Sequence, residues 1–305
     1  MEIIMSEPRG FCAGVDRAIH VVEEALELLT PPIFVNHEIV HNSHVIDRFK
    51  EQGVIFVEDI AEVPDASNLI FNAHGVPPSL VEDAKSRGMK IVDATCPLVS
   101  RVHFAALRHA KQDRQIVLIG HKGHAEVVGI VGHAPDNIVI VEDVDDVKAL
   151  DFASDIDIAY ITQTTLSLHD CQVIVDALKE KYPQIVEPTK SNICYATTNR
   201  QTAIKTVAKE SDFILVVGSG NSSNSRRLAE VAEACGTPAQ LVNKASEVDL
   251  SWLNNDMKVG ITAGASTPED VIQGVVTFLK DNFEIDSERA VVSTVETEKF
   301  SLPKM

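Results

Sequence analysis

Short apolar runs alternate along this chain with longer segments in which apolar residues recur every three or four positions. The runs are EIIM at the N-terminus, then IFV (33–35), VIFV (54–57), LIF (69–71), VLIG (117–120), IVIV (138–141), IAYI (158–161), ILVVG (214–218), AQLV (239–242) and VGIT (259–262). Continuous apolar runs of this length, closed by polar or glycine-containing turns, read as strands covered on both faces. Helical spacing appears in Val15, Ala18, Ile19, Val22, Leu26 and Leu29, then in PSLVEDAKSRG, in Val99, Val102 and Ala106, around residues 168–181, in Ala203, Ile204 and Val207, and from about Glu269. Pro31 and Pro32 stop the first of these helices, and Pro97 suits the first turn of another.

The alternation repeats. Cys12, Cys96 and Cys194 each stand between a strand or helix and a following helix, and the position 25 residues beyond each is His37, His121 and Ser219. The next runs begin at Val54, Ile138 and Ala239, offsets of 42, 42 and 45. Self-similarity at a period of roughly 90 residues predicts an α/β protein of three pseudo-repeated units with mostly parallel sheets. The expected divisions are residues 14–97, 98–194 and 195–283, with a tail at 284–305 that either docks as an extended segment or stays mobile. The third unit lacks a strand after its last helix, whereas EIIM precedes Cys12 with no earlier unit, so residues 1–13 are expected to complete the third sheet. Closure of this kind would carry the three cysteines to one centre.

Composition narrows the chemistry. The chain has 305 residues, 45% of them apolar, and a formal charge of −18, which disfavours nucleic acid as a general partner. No run approaches the roughly 20 apolar residues of a membrane span, and the N-terminus shows no secretory pattern, so a cytoplasmic protein is expected. Five widely spaced cysteines do not resemble a secreted disulfide framework. Cys171 and Cys235, inside helical patterns, are expected to be buried small side chains. Three thiols at equivalent helix N-termini instead suit thiolates and a metal. Zinc with three sulfurs is one option, although structural zinc usually takes close CxxC pairs. An iron–sulfur cluster on three cysteines would leave one iron open to substrate.

Polar residues gather where the runs end: HEIVHN (37–42), NAHG (72–75), GHKGHAE (120–126), QTT (163–165), GSGNSSNS (218–225) and AGAST (263–267). Ligands of parallel sheets bind beyond the carboxyl ends of strands, and hydroxyls, amides, imidazoles and glycine backbone suit a phosphate. Neither a Walker lysine nor GxGxxG is present, so a nucleotide is not indicated. His20, His44, His103, His109, His133 and His169 read as ordinary surface or loop residues. Zinc on HKGHAE is disfavoured, because the intervening glycine opposes a helix presenting both histidines on one face. Glu126, beside an anionic cluster and a phosphate, would be driven toward its protonated form and becomes the candidate proton donor.

Together PRGFCAGVDRAI, HEIVHN, DATCPLV, GHKGHAE, QTT, ICYATTNRQ, GSGNSSNSRRL and TAGASTPE resemble the 4-hydroxy-3-methylbut-2-enyl diphosphate reductase family, the terminal reductases of the methylerythritol phosphate route to isoprenoids, from Met1 to about Phe283. The resemblance implies a trefoil of three α/β domains around one [4Fe–4S] cluster held by Cys12, Cys96 and Cys194. It implies reduction of the allylic hydroxyl to water, yielding isopentenyl and dimethylallyl diphosphates, with the substrate hydroxyl on the open iron. Glu126 would supply a proton through Thr164 and bound water. His41, His74, His124, Ser222, Ser223, Asn224 and Ser266 would hold the diphosphate, with Thr165 beside them. A ferredoxin or flavodoxin donor, a monomer and no membrane or nucleic-acid partner complete the expectation. A cluster-dependent hydro-lyase and a non-catalytic iron–sulfur sensor are the alternatives.

Overall fold

The computed structural model describes residues 1–304; the last residue of the expected tail, Met305, lies outside the described residues. In chain order, β1 (Glu2–Glu7) leads to α1 (Ala13–Leu28), then β2 (Ile33–Asn36), α2 (Ser43–Glu51), β3 (Val54–Val57), β4 (Asn68–Phe71), α3 (Pro78–Ser86) and β5 (Lys90–Asp93). Past Cys96 come α4 (Pro97–Ala110), β6 (Gln115–Ile119), α5 (Ala125–His133), β7 (Ile138–Val141), α6 (Val144–Ala149), β8 (Ile158–Thr162) and α7 (Leu168–Lys181). Past Cys194 come α8 (Tyr195–Ala208), β9 (Phe213–Val217), α9 (Ser223–Ala234), β10 (Ala239–Val242), β11 (Lys258–Ala263), α10 (Glu269–Asn282) and β12 (Ser287–Val292). Local chemistry sets many of the helix starts. The side chains of Asp143, Ser167 and Ser222 accept backbone N–H groups in the first turns of α6, α7 and α9, and Pro97 opens α4.

The strands form three parallel sheets, ordered β3-β2-β4-β5, β7-β6-β8 and β10-β9-β11-β1-β12. The chain divides into two compact units. One comprises Met1–Asp16, His41–Arg48 and Tyr195–Lys299 and holds the five-stranded sheet; the other comprises Arg17–Val40, Phe49–Cys194 and the segment from Phe300, and holds the two smaller sheets. Period-two alternation explains how each sheet is covered on both sides. On β9, Leu215 and Val217 pack with Val275 and Leu279 of α10, while Ile214 and Val216 pack with Ile204 and Val207 of α8 and Leu228 of α9. On β6, Val117 and Ile119 face Ile174 and Leu178 of α7, and Ile116 and Leu118 face Val102 and Ala106 of α4. No described helix is long and apolar enough to cross a membrane.

β1 lies between β11 and β12, next to the strand that ends in AGAST. In the sheet of β7-β6-β8 the corresponding position is a single parallel bridge from Ala159 to Val186. Within the segment 284–305, β12 follows the last helix and pairs with β1 from Ser287 to Val292, so the third unit does carry a strand there; its side chains are almost all exposed, and apolar periodicity carries no trace of it. The equivalence counted from the cysteines also needs a correction of one residue. The N–H groups of His37, Gly120 and Gly218 donate to the final carbonyls of β3, β7 and β10, so His37 matches Gly120 and Gly218 rather than His121 and Ser219. One additional residue between Cys12 and β2 accounts for the slip, because Ile33, Ile116 and Ile214 pair with Val54, Ile138 and Ala239.

Candidate active site

Each cysteine closes onto the polar loop of its own sheet. The backbone N–H of Cys96 donates to Ala73 (2.9 Å), that of Cys194 to Thr164 (3.0 Å) and that of Cys12 to Ala265 (3.2 Å), and these three acceptors stand two residues past the ends of β4, β8 and β11. Cys12 and Cys96 also accept the first helical hydrogen bonds, from Asp16 and Ser100. All three thiols are half-buried and lie outside any disulfide. A second set of residues, absent from the sequence reading, braces the same turns. Arg17, on the helix after Cys12, donates to the carbonyl of Thr95; Arg101, after Cys96, donates to that of Ser191; Arg200, after Cys194, donates to that of Gly10. Each guanidinium thus grips backbone within three residues of the next cysteine. The offsets from the preceding cysteine, 5, 5 and 6, repeat, so the counting that singled out the cysteines could have found the arginines too.

Arg200 is fully buried and pairs with Glu296 of the C-terminal segment at 3.0 Å. Cys171 is buried as expected, whereas Cys235 is exposed at the C-terminal cap of α9, where the last turn faces solvent.

Glu126 sits in the first turn of α5 and is 2% exposed. Oε1 accepts the backbone N–H of Thr164 at 2.7 Å and Oε2 accepts its hydroxyl at 3.0 Å. Burial pushes the carboxyl up to about 7, against the opposing pull of the two Thr164 hydrogen bonds. Because the Thr164 carbonyl takes the N–H of Cys194, acid, threonine and cysteine form one hydrogen-bonded chain. His124 caps α5, its Nδ1 accepting the Glu126 N–H at 3.1 Å, so the ring carries its proton on Nε2. Gly123, at φ +80°, supplies the left-handed turn before the cap, and the helix therefore starts after this glycine, leaving His121 outside it. Gln163 bridges the loops, accepting from His121 N–H and donating to the Thr165 hydroxyl at 3.0 Å.

His74 meets the His124 ring edge-on at 6.0 Å. Its orientation comes from Asn72, another residue missed from sequence. Asn72 Nδ2 donates to the Asn36 carbonyl, which turns Oδ1 toward the His74 backbone N–H and ring Nδ1 at 2.9 and 3.0 Å. In the other compact unit, the Ser266 hydroxyl donates to the His41 carbonyl and Ser222 caps α9. Ser223 and Asn224 lie in the first turn of that helix, not in the loop that GSGNSSNS suggests, because the Ser222 cap starts it there. Asn224 is 5% exposed, and neither its amide nitrogen nor its amide oxygen has a hydrogen-bond partner among the described residues. Leaving such an amide buried costs about 1–3 kcal/mol per group unless a ligand satisfies it. His103 and His109, expected at the surface, are instead buried on α4; burial above all lowers them to about 3 and about 4, with His133 adding to the effect on the first and Arg108 and Arg114 on the second.

Parallel sheets whose carboxyl-end loops carry cysteine-headed helices, a buried protonatable carboxylate and an unsatisfied amide define an enzyme of the α/β class. Residues 3–280 match the family described as LytB protein. A 4-hydroxy-3-methylbut-2-enyl diphosphate reductase from Histophilus somni is 48% identical, covering 100% of this chain and 98% of its own. One of the same name from Alcanivorax borkumensis is 47% identical over 100% and 99%. The solved structure of the E-1-hydroxy-2-methyl-but-2-enyl-4-diphosphate reductase from Plasmodium falciparum superposes with a TM-score of 0.96 at 42% identity, covering 99% of this chain and 95% of that one. The chain belongs to the LytB family and is an oxidoreductase.

Proposed function

We propose that this protein reduces (E)-4-hydroxy-3-methylbut-2-enyl diphosphate to isopentenyl and dimethylallyl diphosphates, using a [4Fe–4S] cluster held by Cys12, Cys96 and Cys194. The observation that carries this reading is the buried Glu126–Thr164–Cys194 chain, which ties a carboxyl raised to about 7 to a cysteine turn. The donor set fits the group: three half-buried thiols outside any disulfide, in repeated backbone settings, with no fourth cysteine in that register. When bound, the cluster would supply the two electrons and, at the iron without a cysteine, a Lewis acid. Glu126, protonated below about pH 7, holds the proton, and the Thr164 hydroxyl orients the carboxyl and relays it. One proton leaves with the hydroxyl as water and a second reaches the allylic carbon skeleton, balancing the two electrons. His41, His74, His124, Ser222, Ser223, Asn224 and Ser266 hold the diphosphate, with Thr165 beside Thr164; binding that remote group orients the carbon–oxygen bond. The reading includes three domains (14–97, 98–194, and 195–283 completed by 1–13) in a trefoil, a cytoplasmic monomer, and ferredoxin or flavodoxin as donor.

The deciding experiment is anaerobic turnover of cluster-reconstituted protein with this substrate, with and without a low-potential reductant, reading both five-carbon diphosphates. Product formation that depends strictly on reductant is expected. Turnover without reductant would point to a hydro-lyase, and no conversion with an intact cluster would discard the substrate.

A further inference from the structure

A cavity of about 240 Å³ opens between α4 and the segment leading to Cys194. Its walls include Arg101, Phe104 and Arg108 from the helix and Lys190 and Asn192 from the segment, with no carboxylate among the lining residues. The three cations are exposed on a chain of net charge −18, so the cleft reverses the sign of the molecule as a whole. The nearest acid in sequence, Glu187, is engaged by Lys179 at 2.8 Å. Phe104 is 69% exposed, and no other Phe, Tyr or Trp among the described residues is exposed. A ring left in water and rimmed by cations has the composition of a protein-binding surface.

Its position gives the surface a purpose. Phe104 lies eight residues along α4 from Cys96, about 12 Å at helical rise. Lys190 and Asn192 stand four and two residues before Cys194, and Arg101 joins the two walls by donating to the Ser191 carbonyl at 3.0 Å. The cleft therefore abuts the turns of two cysteines. We infer that this cleft docks an acidic one-electron carrier protein, whose carboxylates face Arg101, Arg108 and Lys190 and whose apolar contact covers Phe104. The inference rests on the reductase reading above: each substrate reduced requires two successive carriers, each oxidised by one electron, and the two accompanying protons come from Glu126 and solvent. Redox encounters use small, charge-steered interfaces that form and release quickly, which suits a compact cationic rim around one aromatic anchor.

The test uses the cluster-loaded protein and an acidic flavodoxin as the probe. Arg101 is left intact because it braces the Cys194 turn. In the Arg108→Glu, Lys190→Glu double variant, calorimetric titration should show flavodoxin affinity weakened by about tenfold or more. The KM for flavodoxin should rise in proportion, while dithionite-driven turnover and iron per chain stay at parental values. Unchanged flavodoxin affinity overturns the inference. Should the double variant lose its fold, the unmodified protein still decides: its affinity should fall steeply as salt rises from about 0.05 to 0.3 M, and a flat dependence overturns the inference. Phe104→Ala should weaken binding while leaving that salt dependence intact. Binding to anionic phospholipid vesicles with none to flavodoxin also overturns it. Absence of dithionite-driven turnover in the parent would instead defeat the reductase reading, since the titration reports docking independently.

Discussion

At the residue scale, Glu126 is an acid whose proton is held by burial. Its carboxyl rises from 4.5 to about 7 on folding, so the stability it contributes is complete below about pH 4.5 and is lost as pH climbs through 7. The shift corresponds to roughly 3 kcal/mol. Glu126→Gln, which mimics the protonated form, should therefore gain thermal stability relative to the parent as pH goes from 5 to 8, while losing most turnover. A stability difference that does not change with pH would show that Glu126 is not desolvated in the fold. Thr164→Val removes a hydrogen bond that favours the charged form. The expected outcome in kcat against pH is an alkaline limb displaced to higher pH, and a limb that stays in place would detach Thr164 from proton delivery.

At the element scale, strand-end loops and helix first turns do the positioning. Backbone groups at these ends have no partner within their own helix or strand, and the cysteine N–H groups and the Ser222 and His124 caps satisfy them. Asn72 illustrates the dependence: one buried amide fixes both the loop backbone and the His74 ring. Asn72→Ala should raise KM for the diphosphate about tenfold, the worth of roughly one buried hydrogen bond, with kcat changed much less. Steady-state kinetics checks it; a fall in kcat alone would mean that His74 orientation serves chemistry rather than binding. The elements themselves were largely legible. β3, β7, β10 and α7 coincide with runs visible in the sequence, because their apolar periodicity is a local property. α2, α5, α6 and α9 were missed, being short or rich in polar residues, and their starts depend on caps rather than on an apolar stripe.

At the scale of the molecule, the C-terminal segment is part of the folded structure. Between exposed neighbours, Glu296 turns inward to Arg200, whose guanidinium also binds the carbonyl of Gly10 two residues before Cys12. Removing the carboxylate strands a buried charge, so Glu296→Ala should cost about 3 kcal/mol and lower the thermal unfolding midpoint; an unaltered midpoint would reduce the segment to a passive tail. Serine at Cys12, Cys96 or Cys194 should abolish full iron loading, whereas serine at Cys171 or Cys235 should not, as iron assay of reconstituted protein would measure. The sequence by itself determined the alternation of strands and helices, the threefold repeat and the cysteine junctions, since each is written in local spacing. Tertiary structure alone decided which carboxylate loses its water, which arginines brace which cysteine turns, where β12 pairs, and the one-residue slip before β2. Those outcomes depend on desolvation and hydrogen-bond partners that lie far apart in sequence and meet only once the sheets have formed.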